Sequence, residues 1–181
     1  MTPPMLHPRI AEVVTALALA QQEMYTTLAQ LPMDRVEATP PIGGWTLAQV
    51  IDHLAIVEDG GGRLIGKLLK AAEGTIETSQ EPIAPTLERF QIWHPSQPIV
   101  APEMVAPAAR PAVADAIARQ SMARSRLLTA LEEASGRDLA AVTAPHPVIG
   151  PLNAYQWALV TAQHQRRHLV QLRTIATSFP R

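Results

Sequence analysis

His164 and His168 stand four residues apart in the run His164-Gln165-Arg166-Arg167-His168. On a helix this spacing puts two imidazoles on one face, one turn apart, so both can reach a single ion. Trp157, Val160, Thr161, His164, His168 and Gln171 fall on one stripe, and its apolar members turn the histidines inward. A His-x-x-x-His pair alone is weak evidence, because helices carry it by chance or at their surface. His53 strengthens it: between Val50 and Val57, it sits on the apolar side of another helical pattern. A buried imidazole left unpaired costs about 1–3 kcal/mol. Each inward histidine therefore needs a buried water, a carbonyl or an ion, and one ion shared by His53, His164 and His168 serves all three.

Three histidines with open positions beside them suit a catalytic metal site better than a closed structural one. Imidazole accepts zinc, nickel, cobalt and iron alike, and the chain has no cysteine to narrow the choice. Such an ion could lower the pKa of bound water or hold a thiolate as nucleophile. No general base accompanies it: Asp52 precedes His53 and should point elsewhere, and Glu58 lies five positions on. That gap keeps a second reading open, a non-catalytic bundle that binds a small molecule or a partner. His7 belongs to a terminus expected to be mobile, His94 lies beside Trp93, and His146, between two prolines, either faces the rim of the site or orients a turn, the latter being favoured.

The elements that must position these residues are helices. The first runs from about Pro8 to Leu31, with Ile10, Val13, Val14, Leu17, Met24, Leu28 and Leu31 on its apolar stripe. Residues 13–20 resemble the core of a signal peptide, but the stripe continues past any cleavage point, so a bundle helix is the expectation. The second starts near Thr46, a capping residue, and carries Leu47 to Leu68. Gly60-Gly61-Gly62 inside it suggests a kink, close packing on bare backbone, or space above the site. Six prolines between residues 73 and 108 rule out a long helix there. That stretch should cross over the bundle, with Phe90, Ile92 and Trp93 as anchors. The third helix covers about Arg110 to Ser135, stopped by Gly136, and the fourth about Leu152 to Thr177, after a turn-rich stretch from Ala144 to Pro151. Strand evidence is thin, confined to pieces such as Ala141-Val142-Thr143. The expected fold is all-α: one domain over residues 1–181, a four-helix bundle with a long crossover connection between helices 2 and 3.

Composition agrees. Of 181 residues, 47% are hydrophobic, 17% charged and only 4% aromatic, which suits an aliphatic helical core. A formal net charge of −1 with scattered basic residues gives no reason to expect nucleic acid or an anionic membrane as partner. Arg124, Arg126, Arg166 and Arg167 could bind a substrate carboxylate, although a solvated surface position is favoured for each. No stretch reaches the ~20 apolar residues of a membrane-spanning helix. The absence of cysteine is compatible with the cytoplasm.

Gly44-Trp45-Thr46 with Asp52-His53-Leu54, then His146-Pro147-x-x-Gly150-Pro151-Leu152, then Gln163-His164-x-x-x-His168-x-x-Gln171 resembles the DinB-like superfamily. The likeness spans nearly the whole chain. It implies a four-helix bundle holding a divalent metal, zinc or nickel, through one histidine of helix two and two of helix four, here His53, His164 and His168. Relatives with known activity include thiol-dependent S-transferases that use bacillithiol, and a mycothiol-dependent maleylpyruvate isomerase. The resemblance therefore implies a metal-dependent transferase or hydrolase acting on a small-molecule substrate, with a low-molecular-weight thiol as a candidate cofactor, a homodimer and a cytoplasmic setting. A stress-response binding bundle is the alternative.

Overall fold

The computed structural model describes residues 6–88 and 101–180. Helix α1 spans Pro8–Leu28, α2 Leu47–Ala71, the short α3 Pro85–Glu88, α4 Val113–Glu133 and α5 Ala154–Ser178, so the four expected long helices are present. Single 3-10 turns lie at Met33–Arg35 and Glu103–Val105.

Local sequence explains where the site-bearing helices begin. Thr46 Oγ1 accepts from the Gln49 amide (3.1 Å) while Gln49 Oε1 accepts from the Thr46 amide (3.0 Å), a reciprocal cap that satisfies two otherwise orphaned donors of α2. Asn153 and Gln156 repeat the device at the start of α5. Pro8 opens α1, where a missing N–H costs nothing. Gly136, at φ 89°, follows the end of α4.

The apolar stripes close the four long helices into a ring: α1 packs on α5 and α4, and α2 packs on α4 and α5. Burial of Ile10, Val13, Leu17 and Met24 confirms residues 13–20 as part of a bundle helix. The core falls into two apolar halves. Ile10, Leu17, Ile65, Leu131 and Tyr155 belong to one, and Met24, Leu47, Ile51, Leu169 and Leu172 to the other. Between them runs a layer of buried polar groups that includes Glu58, Gln120, Arg124 and Gln165.

Arg124 organises that layer and corrects the surface role expected for it. Its side chain is 2% exposed and pairs bidentately with Glu58 of α2, Nε to Oε1 at 2.6 Å and Nη2 to Oε2 at 2.8 Å. It also donates to the Leu17 carbonyl of α1 and to Gln165 Oε1 of α5 (2.7 Å). One residue of α4 thus ties all three other long helices, with the geometry and partners a buried charge requires. Arg126 and Arg166 do lie at the surface, paired with Asp59 and Glu23.

Three further expectations change. The turn-rich stretch before α5 is an antiparallel hairpin, β1 Thr143–His146 with β2 Gly150–Asn153, its register pairing Thr143 with Asn153 and His146 with Gly150. α2 runs on through Gly60-Gly61-Gly62; a Cβ at Gly61 would meet Thr161 Oγ1 at 3.6 Å, an ordinary contact, so α5 does not need bare backbone there. His7 is tied down rather than loose: its amide donates to Ser135 Oγ (2.9 Å) and its Nε2 pairs with the Gln80 amide group (3.1 Å). The anchors Phe90, Ile92 and Trp93, and His94, lie outside the described residues. No helix among the described residues is long and apolar enough to cross a membrane.

Candidate metal centre

α2 and α5 lie side by side in the ring, and their facing stripes bring His53, His164 and His168 together at the seam. One ligating nitrogen from each falls within 4.8 Å of the other two. The rings crowd edge to face, with centroids 4.7 Å apart for His53 and His168 and 4.5 Å for His164 and His168. Trp45, from the turn ahead of the Thr46 cap, packs 5.0 Å from the His53 ring and walls that side. His53 is buried, while the other two are partly exposed.

Hydrogen bonds fix which nitrogen each ring presents. His53 Nδ1 lies 2.8 Å from the Val105 carbonyl, which can only accept, so Nδ1 carries the proton and Nε2 offers a lone pair. His168 Nδ1 likewise donates to Gln171 Oε1 at 2.7 Å, leaving its Nε2 as the lone-pair nitrogen. An oxygen acceptor behind the ring, orienting it and raising its basicity, is the usual support of a metal-bound histidine. His53 Nε2 and His164 Nε2 are 3.3 Å apart. Two nitrogens about 2.0–2.1 Å from a tetrahedral ion would be separated by roughly that distance.

Electrostatics keep the rings neutral, as ligands must be. Burial, then the neighbouring His168 and His53, hold the pKa of His164 well below the ordinary histidine value. Burial and then His53 lower His168 to about 4, against the opposing bond to Gln171. His53 is also lowered by burial, opposed by Val105 and Asp52. In donor chemistry, tautomer and spacing, the cluster fits a divalent ion.

Among the described residues no carboxylate joins the three histidines. Asp52 turns away, as expected, to accept from the Ala108 amide (2.9 Å) and Arg119 (2.6 Å). Glu58 is committed to Arg124. Two supporting residues escaped the sequence reading in that role. Gln171 was visible on the stripe and in the motif, and its i+3 spacing from His168 was the available signal. Val105 acts through its carbonyl, which no sequence pattern marks.

A four-helix bundle with a partly exposed three-histidine cluster between two adjacent helices defines a recognisable class of proteins. A family model of the DinB superfamily matches residues 16–172, and the chain belongs to that superfamily. It is 24% identical over 163 residues to the uncharacterized protein YuaE of Bacillus subtilis (strain 168), covering 90% of this chain and 96% of that protein. Among solved structures, the crystal structure of TT2238, a four-helix bundle protein, superposes with a TM-score of 0.60 at 22% identity, covering 91% of this chain and 98% of that one. At that identity the likeness supports the fold alone.

Proposed function

We propose that the chain is a metal-dependent enzyme that binds zinc or nickel through His53, His164 and His168 and acts on a small molecule as a thiol-dependent S-transferase or a hydrolase. The observation that carries this reading is the tautomer pattern. Two of the three histidines have Nδ1 bound to an oxygen acceptor, which leaves Nε2 unprotonated on each, and one nitrogen from every ring lies within 4.8 Å of the other two. The ion, when bound, would act as a Lewis acid that lowers the pKa of a thiol or water beside it. The protein's own part is to hold the rings: Val105 and Gln171 orient them, Trp45 shields one side, and the partly exposed His164 and His168 leave the other side accessible.

A non-catalytic binding bundle is the second reading, favoured by the engagement of both nearby carboxylates, Asp52 and Glu58, by arginines. The deciding experiment starts with elemental analysis of untagged protein and of the His164→Ala/His168→Ala double variant. One zinc or nickel per chain, lost in the variant, is expected. The loaded protein is then assayed for transfer of a low-molecular-weight thiol and for amide and ester hydrolysis. Stoichiometric metal without turnover would favour the binding bundle; no metal uptake at all would remove both the site and the enzyme.

A further inference from the structure

The hairpin ahead of α5 brings a fourth histidine towards the cluster. His146 ends β1, and its ring lies 4.9 Å from that of Trp157, two turns before His164 on α5. Trp157 Nε1 donates in turn to the Ala144 carbonyl (3.2 Å), so hairpin and helix are fastened together here. His146 Nδ1 accepts from the backbone amides of Val148 (3.2 Å) and Ile149 (3.4 Å). Both are donors, so Nδ1 presents its lone pair, and the proton of the neutral ring sits on Nε2. Burial lowers the pKa of this half-buried ring and keeps it neutral. Among the described residues Nε2 has no hydrogen-bond partner.

The tautomer is opposite to that of His53 and His168. Those rings direct a lone pair at the cluster; His146 has a donor to offer instead and so is suited to a bound molecule rather than to the ion. We propose that His146 is a substrate-binding residue, whose Nε2–H donates a hydrogen bond to an anionic group held on the open side of the three-histidine cluster. The inference rests on the reading of that cluster as a metal site.

Two substitutions separate this role from that of a turn-former. His146→Asn puts an oxygen near the place of Nδ1 and keeps the acceptor for the turn, but withdraws the outer nitrogen. His146→Gln reaches about as far as Nε2 with an amide N–H and gives up the turn acceptor. The full chain and both variants are loaded with cobalt(II), and azide is titrated in by visible absorption. Expected are equal cobalt stoichiometry and equal azide-free spectra in all three. Azide should bind about tenfold more weakly to the Asn variant, and within about threefold of the parent to the Gln variant. Undiminished affinity in the Asn variant, or a loss in the Gln variant as large as in the Asn variant, would overturn the inference and leave His146 a turn residue. Failure of the parent to take up cobalt, seen before any azide is added, would overturn the metal reading and this one with it.

Discussion

Gln171 accepts a 2.7 Å hydrogen bond from Nδ1 of His168 within a single turn of α5. The bond does two things at once: it selects the tautomer that leaves Nε2 free, and it stops the ring from turning about its side-chain torsions.

Removing that support should be felt in metal affinity. Gln171→Leu is expected to weaken zinc binding by about 10–100-fold, the usual effect of losing a support behind a ligand, while Gln171→Glu retains an acceptor and most of the affinity. Competition against a chromophoric chelator measures both. Equal affinities for the Leu variant and the parent would show that the ring is held by packing alone.

The Arg124–Glu58 pair makes a different prediction, because it bears on stability rather than on the candidate metal site. Arg124→Leu or Glu58→Leu alone leaves a buried charge with no counter-charge and is expected to cost about 3–5 kcal/mol. The double variant removes both charges together and should cost clearly less than the sum of the two single changes. Urea unfolding of the four proteins completes the cycle. Strictly additive losses would mean that Leu17 and Gln165, not Glu58, satisfy the guanidinium.

Much of this organisation is legible in the sequence itself. The stripes through Val50 and Val57 and through Trp157 and Val160 turned His53, His164 and His168 inward, because helical periodicity is a local property that the sequence displays directly. Thr46 announced the start of α2 for the same reason, its cap depending only on Gln49 three residues later. What could not be read depended on tertiary neighbours. Arg124 lies on a helix whose polar residues look solvated, and only the arrival of Glu58, Gln165 and Leu17 from three other helices makes its burial tolerable. The hairpin was hidden by the prolines at Pro145 and Pro151, which face each other in its register; a two-stranded ribbon has no central strand, so its backbone can spare those N–H groups.

The Glu77 cluster at one end of the bundle should set limits on stability at both extremes of pH. Burial acts to raise the Glu77 pKa, but bonds from the Ser79 amide, Arg9 and Tyr155 outweigh it and hold the carboxyl below its ordinary value of 4.5. Its stabilisation is therefore present above that value and lost as pH falls through the lower folded one. Tyr155 is raised, by burial first and then by Glu77, so its contribution is present below its ordinary value of 10.0 and lost as pH rises beyond it. Tyr155→Phe should consequently lose stability at neutral pH yet show a flatter alkaline limb than the parent. Urea midpoints at neutral pH and near pH 11 test this; parallel alkaline limbs would show that Tyr155 does not govern the loss.

Asp52 and His53 are neighbours on α2 that fasten the same returning segment. His53 donates to the Val105 carbonyl, and Asp52 accepts from the Ala108 amide three residues further on. Arg119 of α4 closes on the other oxygen of Asp52 at 2.6 Å, so the carboxylate is held from two sides and is itself buried. A hydrogen bond to a charged acceptor contributes about 1.5–3 kcal/mol. Asp52→Ala should therefore speed hydrogen exchange at the Ala108 amide by about tenfold or more, through easier local opening. Gln171→Leu, which touches the site from α5, should leave that amide unchanged. The comparison separates the two supports of the cluster: accelerated exchange in the Asp52 variant alone would establish that α2 holds the segment down, whereas unchanged exchange would mean that Arg119 and the packing around Val105 retain it without Asp52.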